Sequence, residues 1–290
     1  MLKILILNYN NARDTIKLCG QLLKQKNIEL SILVIDNCSP DGSYKVLLTN
    51  FVNEKKIEVI KTQFNGGYAY GNNYGLHHIK EADSEYISIL NNDLNIDSDL
   101  LFSGLISRYK NLNNVGFMSP TQLNSNNEVY KHSAWKQPSF VRDILMSSLI
   151  CSKFLNSNLY NLSNKSKSIP VEILPGCFLF TTFKHFKKIN LFDDGTFLFC
   201  EERILYEKTK QIKKQNYLIN DLFYTHEGSV SINDKFSNIE KYKILNSSLL
   251  YYTRNYRNYG YLKSLILWPF LQYSLFELHL LNLIKNLNLR

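Results

Sequence analysis

The sequence predicts an α/β fold with a mostly parallel central sheet flanked by helices, followed by a helical C-terminal extension. Short apolar runs alternate with amphipathic segments through residues 1–100, which is the order of βαβ units. The run Leu30–Ile35 is almost continuously apolar, as expected of a strand buried on both faces. Most runs end in Asn, Asp or Gly, so these polar residues should meet at the carboxyl edge, where open α/β sheets bind ligands.

The individual elements follow from these runs. Strands are expected at Ile4–Leu7, Leu30–Ile35, Ile57–Ile60, Tyr86–Leu90 and Ile173–Thr181. Helices are expected at Ala12–Lys24 and around Tyr70–Ile79, and an amphipathic segment at Val141–Leu155. Residues 240–290 are rich in Leu, Tyr, Asn and Lys and are expected to be helical. We therefore predict an α/β domain over residues 1–235 and a helical extension over residues 236–290.

The chain has 290 residues and a net charge of +9, which is unevenly distributed. Residues 1–100 hold 10 Lys and Arg against 12 Asp and Glu, whereas residues 203–290 hold 13 against 6. The basic C-terminal third predicts an anionic surface as a neighbour, and lipid headgroups fit this as well as nucleic acid. Because the aromatic and basic residues do not form a known nucleic-acid-binding module, we expect no nucleic-acid partner.

The cysteine pattern indicates a reducing compartment. The five cysteines include no C-x-x-C pair and are odd in number, which argues against a disulfide framework and a zinc–thiolate site. The cytoplasm is therefore the expected location. The apolar run Met1–Leu7 is too short for a secretory signal. Leu265–Ile284 comes closest to a membrane span, but Pro269 and several polar residues interrupt it, so no span is predicted.

Three polar segments of the predicted α/β domain are candidates for ligand binding. Asp36, at a strand end, can accept hydrogen bonds from a ribose hydroxyl or a base N–H; the alternative is that it caps the following turn. The glycines of Asn65–Asn73 let the backbone approach a ligand closely, although the spacing matches neither G-x-G-x-x-G nor a P-loop. Asp93, in Asn91-Asn92-Asp93, suits a hard cation whose shell is completed by diphosphate oxygens. Simple turn chemistry is the alternative for both segments.

Two further segments carry ionisable side chains. Glu201 and Glu202 follow the aromatic run Phe197–Phe199. Because neighbouring helical residues point about 100° apart, we expect only one of the two carboxylates to face a site. The alternative is a solvated helix start, where the dipole favours Glu. His226 is expected in a loop, and a single histidine is more often structural than a ligand.

Taken together and in this order, these segments resemble glycosyltransferase family 2, of the GT-A fold, and within it the rhamnosyltransferase-like bacterial enzymes of surface polysaccharide assembly. The resemblance covers roughly residues 1–230. It rests on Tyr9-Asn10-Asn11, Val34–Ser43, Asn65-Gly66-Gly67 with Gly71-Asn72-Asn73, Leu90–Asp93, Pro175-Gly176, Leu191-Phe192-Asp193 through Glu201-Glu202, and His226-Glu227-Gly228-Ser229.

The resemblance implies an inverting enzyme that transfers a sugar from a nucleoside-diphosphate sugar to a glycan or lipid-linked acceptor, with Mg²⁺ or Mn²⁺. Glu202 would be the catalytic base at a position where the family usually has Asp, and Glu201 is the alternative base. Asp93 and His226 would hold the metal, and Asn91 replaces the first Asp of the family's D-x-D motif. The donor would be bound by Tyr9, Asn10, Asp36, Asn37, Asn65, Gly66, Gly67, Gly71, Asn72, Asn73, Asn91 and Asn92.

Two other functions remain open. A nucleotidyltransferase that makes a sugar nucleotide would need a basic, glycine-rich loop after the first strand, and Asn8–Arg13 contains no glycine. A non-catalytic sugar-nucleotide-binding protein of the same fold is suggested by the departures at Asn91 and Glu202.

The basic and aromatic residues of the C-terminal extension predict peripheral contact with an anionic membrane, at the inner face of the plasma membrane. The alternative is a helical pair packed on the catalytic domain. The donor sugar, the acceptor and the oligomeric state are not determined by the sequence.

Overall fold

The computed structural model describes residues 1–80, 85–155, 158–162, 166–226 and 237–287. These residues form one sheet of nine strands. The strands are β1 Leu2–Asn8, β2 Leu30–Asp36, β3 Ile57–Lys61, β4 Tyr86–Asn91, β5 Leu94–Asn95, β6 Val115–Leu123, β7 Ser168–Val171, β8 Phe178–Thr182 and β9 Gln215–His226. Their order across the sheet is β3-β2-β1-β4-β8-β6-β9-β5, and β7 pairs with β9.

Helices cover both faces of the sheet and form the C-terminal part of the described chain. They are α1 Ala12–Leu22, α2 Ser43–Phe51, α3 Gly67–His78, α4 Leu101–Asn111, α5 Phe140–Ser147, α6 Leu149–Ser152, α7 Phe183–Lys188, α8 Glu201–Gln211, α9 Asn238–Tyr256 and α10 Gly260–Leu287. Local capping explains two of the starts. The Asn11 side chain accepts from Asp14 N at α1, and Ser237 with Glu240 forms a capping box at α9.

The predicted α/β fold with a mostly parallel sheet is confirmed. β1, β2, β3 and β4 pair in parallel, and β6 and β9 run in the same direction, whereas β5, β7 and β8 run against them. Successive side chains of a strand point to opposite faces. Ile4 accordingly joins the apolar cluster beneath α1, and Leu5 joins the cluster beneath α3 and α7.

Some predicted elements differ from the observed ones. β8 begins at Phe178 and not at Ile173, because Ile173 instead pairs its backbone with Trp135 and the Pro175-Gly176 turn follows. The segment Val141–Leu155 forms two helices, since the Ser148 side chain caps a new helix there. His226 is the last residue of β9, paired with Leu94, and does not lie in a loop. The sequence analysis did not predict β6 or β9.

The predicted helical C-terminal extension is confirmed as α9 and α10. These helices share an apolar cluster with the start of α8, in which Cys200 and Ile204 pack with Leu249, Tyr252 and Leu267. The predicted boundary at residue 235 lies outside the described residues. Within the described ranges, no helix combines the length and the hydropathy that crossing a membrane requires.

Candidate active site

The carboxyl ends of β1, β2, β4 and β9 meet at one edge of the sheet because these strands share a direction. Asn8, Asp36, Asn91 and His226 are their last residues. A cavity of about 580 Å³ opens at this edge and is lined by Asn91, Gly176, Glu201, Glu202 and His226, among others. The structure therefore brings together four of the predicted site residues: one from the donor group, one from the metal group and both glutamates.

Asp36 and its neighbours form a buried hydrogen-bond network that fixes the loops after β1 and β2. The Asn8 side chain donates to Asp36 Oδ1 at 2.8 Å, and Ser39 N donates to Asp36 Oδ2 at 2.9 Å. Asp36 is fully buried. Asn10, in the left-handed region with φ 55°, donates its N–H to Ser39 Oγ at 2.9 Å. Through these contacts Asp36 caps the turn that follows β2. A contact between Asp36 and a nucleotide remains a prediction. Tyr9 lies in the same loop.

Asn37 connects this network to the glycine-rich segment. Its side-chain amide donates to Asn65 Oδ1 at 2.9 Å and to Gly67 O at 3.0 Å, and Asn65 Oδ1 also accepts from Gly67 N. Gly71 lies where a Cβ would meet Leu7 Cδ1 at 2.5 Å. The glycine at this position lets α3 pack closely against the end of β1, and Gly66 precedes α3 as its N-cap.

The three remaining Asn residues predicted to bind the donor make structural contacts. Asn72 is buried and donates to Tyr68 O at 3.0 Å, while Asn73 exchanges two hydrogen bonds with the backbone of Phe192. Asn92 donates to Thr15 Oγ1 at 3.0 Å within the network around Asn8. These side chains hold α3 and the loop after β4 in place, and their contact with the donor also remains a prediction.

The two glutamates are positioned by an unusual backbone path. Phe199 and Cys200 both adopt left-handed conformations, with φ 70° and 66°, immediately before α8 begins at Glu201. Such conformations in residues other than glycine are strained and persist only where surrounding structure enforces them. The start of α3 supplies part of that structure: Tyr68, the residue after Gly67, donates its backbone N–H to Phe197 O at 3.0 Å. The glutamates thus lie at the N-terminus of α8, where the helix dipole favours negative charge.

Glu201 and Glu202 both line the cavity, contrary to the expectation that only one would face it. Burial raises the pKa of Glu201 well above its usual range, and the neighbouring Glu202 raises it further. Burial also raises the pKa of Glu202, but backbone N–H groups, including that of Gly176, and the Arg203 guanidinium lower it. Burial therefore favours the protonated form of both carboxyls, and more groups oppose this at Glu202 than at Glu201. Gly176 N donates to Glu202 Oε1 at 3.4 Å, whereas Glu201 Oε2 is buried and has no hydrogen-bond partner among the residues that the structure describes.

Asp93 and His226 form a pair beside the same cavity. His226 Nε2 lies 3.0 Å from Asp93 Oδ2, and the two side chains are 17% and 8% exposed. Burial lowers the pKa of His226, but hydrogen bonds to Asp93 and Cys177 outweigh it and raise the value to about 10. Asp93 Oδ1 is buried and has no hydrogen-bond partner within the part of the chain that the structure describes.

The donor set at this pair fits one divalent cation. A carboxylate oxygen without a partner and an imidazole are ligands that Mn²⁺ accepts, and Mg²⁺ takes the carboxylate. Cation binding would have to displace the proton of His226, because an imidazole ligates in its neutral form. Within the described ranges, no cluster of three or more His, Cys, Asp or Glu side chains could hold a metal. The oxygens of a diphosphate would therefore have to complete the coordination shell.

The sequence analysis missed one wall of the cavity. Tyr130, His132 and Trp135 line it from the segment between β6 and α5. Backbone hydrogen bonds in both directions between Trp135 and Ile173 hold this segment in place. Aromatic faces of this kind suit the apolar face of a sugar ring. The available signal was Trp135 itself, one of only two tryptophans in the chain, within a segment that lacks a clear period.

The helix that carries the glutamates is fixed from its other side by a buried ionic cluster. Asp143 Oδ2 accepts from Arg203 at 2.8 Å and also from Arg257. The Arg203 guanidinium lies 4.2 Å from the centre of the Tyr252 ring. Asp143 is in α5, Arg203 in α8 and Arg257 directly after α9, so one carboxylate joins three parts of the chain.

Comparison with known families identifies the family to which the chain belongs. The family described as Glycosyl transferase family 2 matches residues 3–189. The chain belongs to glycosyl transferase family 2. The matched part contains Asn91 and Asp93, whereas Glu201, Glu202 and His226 lie beyond it. A comparison with curated proteins finds no match.

Solved structures show that this family 2 member has the GT-A fold. S. aureus TarS 1–349 in complex with UDP is 15% identical, with a TM-score of 0.56, over 93% of this chain and 70% of that chain. The mannosyltransferase PcManGT from Pyrobaculum calidifontis, in complex with GDP-Man and Mn²⁺, is 13% identical, with a TM-score of 0.58, over 100% and 80%. GalNAc-T7 with UDP, GalNAc and Mn²⁺ is 11% identical, with a TM-score of 0.61. This last match covers 94% of this chain but only 55% of GalNAc-T7.

Proposed function

We propose that this glycosyltransferase is an inverting enzyme that transfers a sugar from a nucleoside-diphosphate sugar to a glycan or lipid-linked acceptor. One observation supports it above all. The Glu201–Glu202 pair and the Asp93–His226 pair lie around a single cavity at the carboxyl edge of a GT-A sheet. A group that can take a proton is thus combined with groups that can hold a cation and its diphosphate.

In this proposal the acceptor hydroxyl lies against Glu202, whose ionised form is favoured by the Gly176 N–H and the Arg203 guanidinium. As the acceptor oxygen bonds to the anomeric carbon, its proton passes to Glu202 and the bond from that carbon to the diphosphate breaks. The diphosphate leaves with the electron pair, and the single displacement inverts the anomeric centre. Burial favours the protonated form of Glu201, which can donate a hydrogen bond within the cavity.

The diphosphate would lie beside Asp93 and His226, which are suited to hold Mg²⁺ or Mn²⁺. When bound, the cation would compensate the charge of the departing diphosphate. PcManGT binds Mn²⁺ with GDP-Man, and TarS binds UDP-GlcNAc, and both share the GT-A fold with this chain. Their ligands support the choice of donor class without specifying the sugar.

The proposed biological role is bacterial surface polysaccharide synthesis, on the cytoplasmic side of the plasma membrane. The support for it is the resemblance to rhamnosyltransferase-like enzymes together with the basic, aromatic C-terminal helices. The acceptor is expected to be a growing glycan or a lipid-linked sugar.

The test is a thermal-shift screen of the purified protein against UDP-, GDP- and dTDP-sugars with Mn²⁺. A donor at a hundred times its dissociation constant should add about 2.7 kcal/mol of stability. Release of nucleoside diphosphate from the donor that binds, by hydrolysis or transfer, would then demonstrate catalysis. A protein that binds a donor and never releases the diphosphate would be a non-catalytic binder, and the proposal would fail.

A further inference from the structure

The long helix α10 packs on the protein mainly along one stripe, and its Pro269, Phe270, Tyr273 and Glu277 line a cavity together with residues of α5 and α6. Ser264, Leu267, Leu271, Ser274 and Leu278 are buried and recur every three or four residues. Most of the remaining circumference is apolar and exposed. Twelve of the large apolar side chains of α10 that the structure describes are between 43% and 62% exposed, and six of them, spread along the helix, are Leu262, Ile266, Trp268, Phe270, Phe276 and Leu280. We call these six residues the outer face of α10. An apolar patch of this extent marks a surface that is covered by something else.

The outer face carries no negative charge. Glu277 is the only Asp or Glu between Gly260 and Ile284 in the sequence, and its carboxylate points into the protein. It accepts hydrogen bonds from Ser148 Oγ at 2.9 Å and from Leu149 N at 2.6 Å, and so provides an acceptor for a backbone N–H group at the start of α6. An anionic surface approaching the outer face therefore meets no carboxylate on it.

Cations lie at the N-terminal end of the same helix. A cavity of about 480 Å³ there is lined by Lys210, Arg257 and Lys263, with Glu207 as its acidic residue. Glu207 is already engaged, since it accepts from the Tyr252 hydroxyl at 3.1 Å. Arg257 is paired with Asp143, so Lys210 and Lys263 against Glu207 leave the cavity with a net positive charge, which complements phosphate groups.

We infer that the outer face of α10 docks the protein onto an anionic lipid surface. In this arrangement the aromatic and aliphatic side chains enter the boundary between headgroups and acyl chains, and Lys210 and Lys263 contact lipid phosphates. The helix is too polar to span a bilayer, so it lies along the surface. The inference rests on the proposed function in one respect, because it supplies the surface through which a lipid-linked acceptor would reach the enzyme.

Charge favours lipid over a second copy of the chain as the occupant. A symmetric dimer through α10 would bring two apolar faces together but would leave each cationic end without an acidic partner on the opposing helix. Anionic headgroups satisfy both parts of the surface at once.

The two tryptophans permit a direct test. Trp135 lies in the catalytic cavity and Trp268 on the outer face, so Trp135→Phe leaves Trp268 as the only fluorescent tryptophan. Vesicles of phosphatidylglycerol with brominated acyl chains should quench its emission. Brominated phosphatidylcholine vesicles should quench it much less, and high salt should weaken the effect.

Matched variants sharpen the test. Ile266→Asp with Phe276→Asp changes two exposed side chains and should weaken vesicle binding at least about tenfold. Val52→Asp, an apolar-to-acid change at a residue that is 76% exposed directly after α2, should bind as the parent does. Lys210→Glu should weaken binding about fivefold. Lys45→Glu, the same charge change on α2, should have little effect.

Two results would overturn the inference. One is an unquenched Trp268 with brominated phosphatidylglycerol at low salt. The other is a lipid-free dimer that Ile266→Asp with Phe276→Asp converts to monomers, since the outer face would then bind a second copy. Because the vesicles contain no sugar or nucleotide, failure here is separate from failure of the proposed function, which donor binding and diphosphate release report independently.

Discussion

Gly67 touches the backbone carbonyl of Phe197: a methyl group added at Gly67 would lie 2.0 Å from Phe197 O. Gly67 also has φ +90°, a conformation that side-chain-bearing residues rarely adopt. This contact ties the start of α3 to the strained turn that precedes Glu201, so the geometry of the glutamates depends on a glycine more than 130 positions earlier in the sequence.

Gly67→Ala should therefore destabilise the protein and impair the site together. The left-handed backbone alone costs about 1–2 kcal/mol in a residue with a Cβ, and the clash with Phe197 O adds to that. We expect a lower melting temperature and a reduced kcat. Gly20→Ala is the control, because Gly20 lies within α1 and a Cβ there meets nothing within 4 Å. It should be neutral or stabilising, by up to about 1 kcal/mol.

Glu202→Gln should lower kcat by at least about a hundredfold, because it removes the group that we propose as the proton acceptor. Donor affinity should stay within about threefold, since the cation and donor contacts lie elsewhere. Glu201→Gln should be milder, because Gln still offers a hydrogen-bond donor in place of the protonated carboxyl. Steady-state kinetics with donor titration measure both. If Glu201→Gln is the inactive variant and Glu202→Gln turns over, the two roles are reversed.

The raised pKa values of the two glutamates predict how stability changes with pH. A group whose pKa is higher in the folded state binds more protons there, so stability falls as pH rises through its folded pKa. The protein should therefore lose stability as pH rises above 4.5, the ordinary Glu pKa. Glu201→Gln removes the larger contribution. In urea unfolding, its advantage over the parent should grow from pH 5 to pH 8, and an advantage that does not change with pH would contradict this.

Asp93→Asn should weaken Mn²⁺ and donor binding together, because it removes charge from the carboxylate whose Oδ1 has no protein partner. Isothermal titration with Mn²⁺ and the nucleoside diphosphate should show the loss, and excess EDTA should abolish transfer by the parent. Asp97→Asn is the control, since Asp97 is exposed and accepts only from Asn95 among the contacts that the structure gives it. Full transfer activity in EDTA would mean that the Asp93–His226 pair has another role.

Asp143→Asn should lower the free energy of unfolding by about 3–5 kcal/mol, because it leaves two buried guanidinium groups without their counter-charge. Asp143 is only 4% exposed, and Arg203 is 11% exposed. Asp99→Asn serves as the control. It breaks the ion pair between Asp99, which is 40% exposed, and Lys26, which is 69% exposed. Loss of this exposed pair should change stability little. Urea unfolding curves compare the two directly.

Much of the N-terminal half of the fold could be predicted from the sequence. β2 was expected at Leu30–Ile35 and extends over Leu30–Asp36, because a strand buried on both faces has a nearly continuous apolar run. β9 was missed since it is a long strand with mixed partners. Its residues pair with β5, β6 and β7 in different registers, so no single period marks it.

Some residues of the candidate site could likewise be predicted from the sequence, and others could not. The polar residues at strand ends were identified because their positions follow from the direction of the strands. The aromatic wall with Trp135 was not, since it depends on a backbone pairing with Ile173 across nearly forty residues. Nor could the sequence show that Glu201 and Glu202 share one cavity, because the left-handed turn at Phe199 and Cys200 sets their direction.

The ionic cluster at Asp143 also bears on how such enzymes can be recombined. Asp93 lies within the family match, which ends at residue 189, whereas Glu201 and Glu202 lie beyond it. Exchanging only the segment that carries α8 between relatives would separate Arg203 from Asp143 and from Arg257. A chimera that keeps residues 1–123 and replaces everything from the aromatic wall to the end of α10 would carry the whole cluster with it. That larger block is the unit that keeps Asp143, Arg203 and Arg257 together.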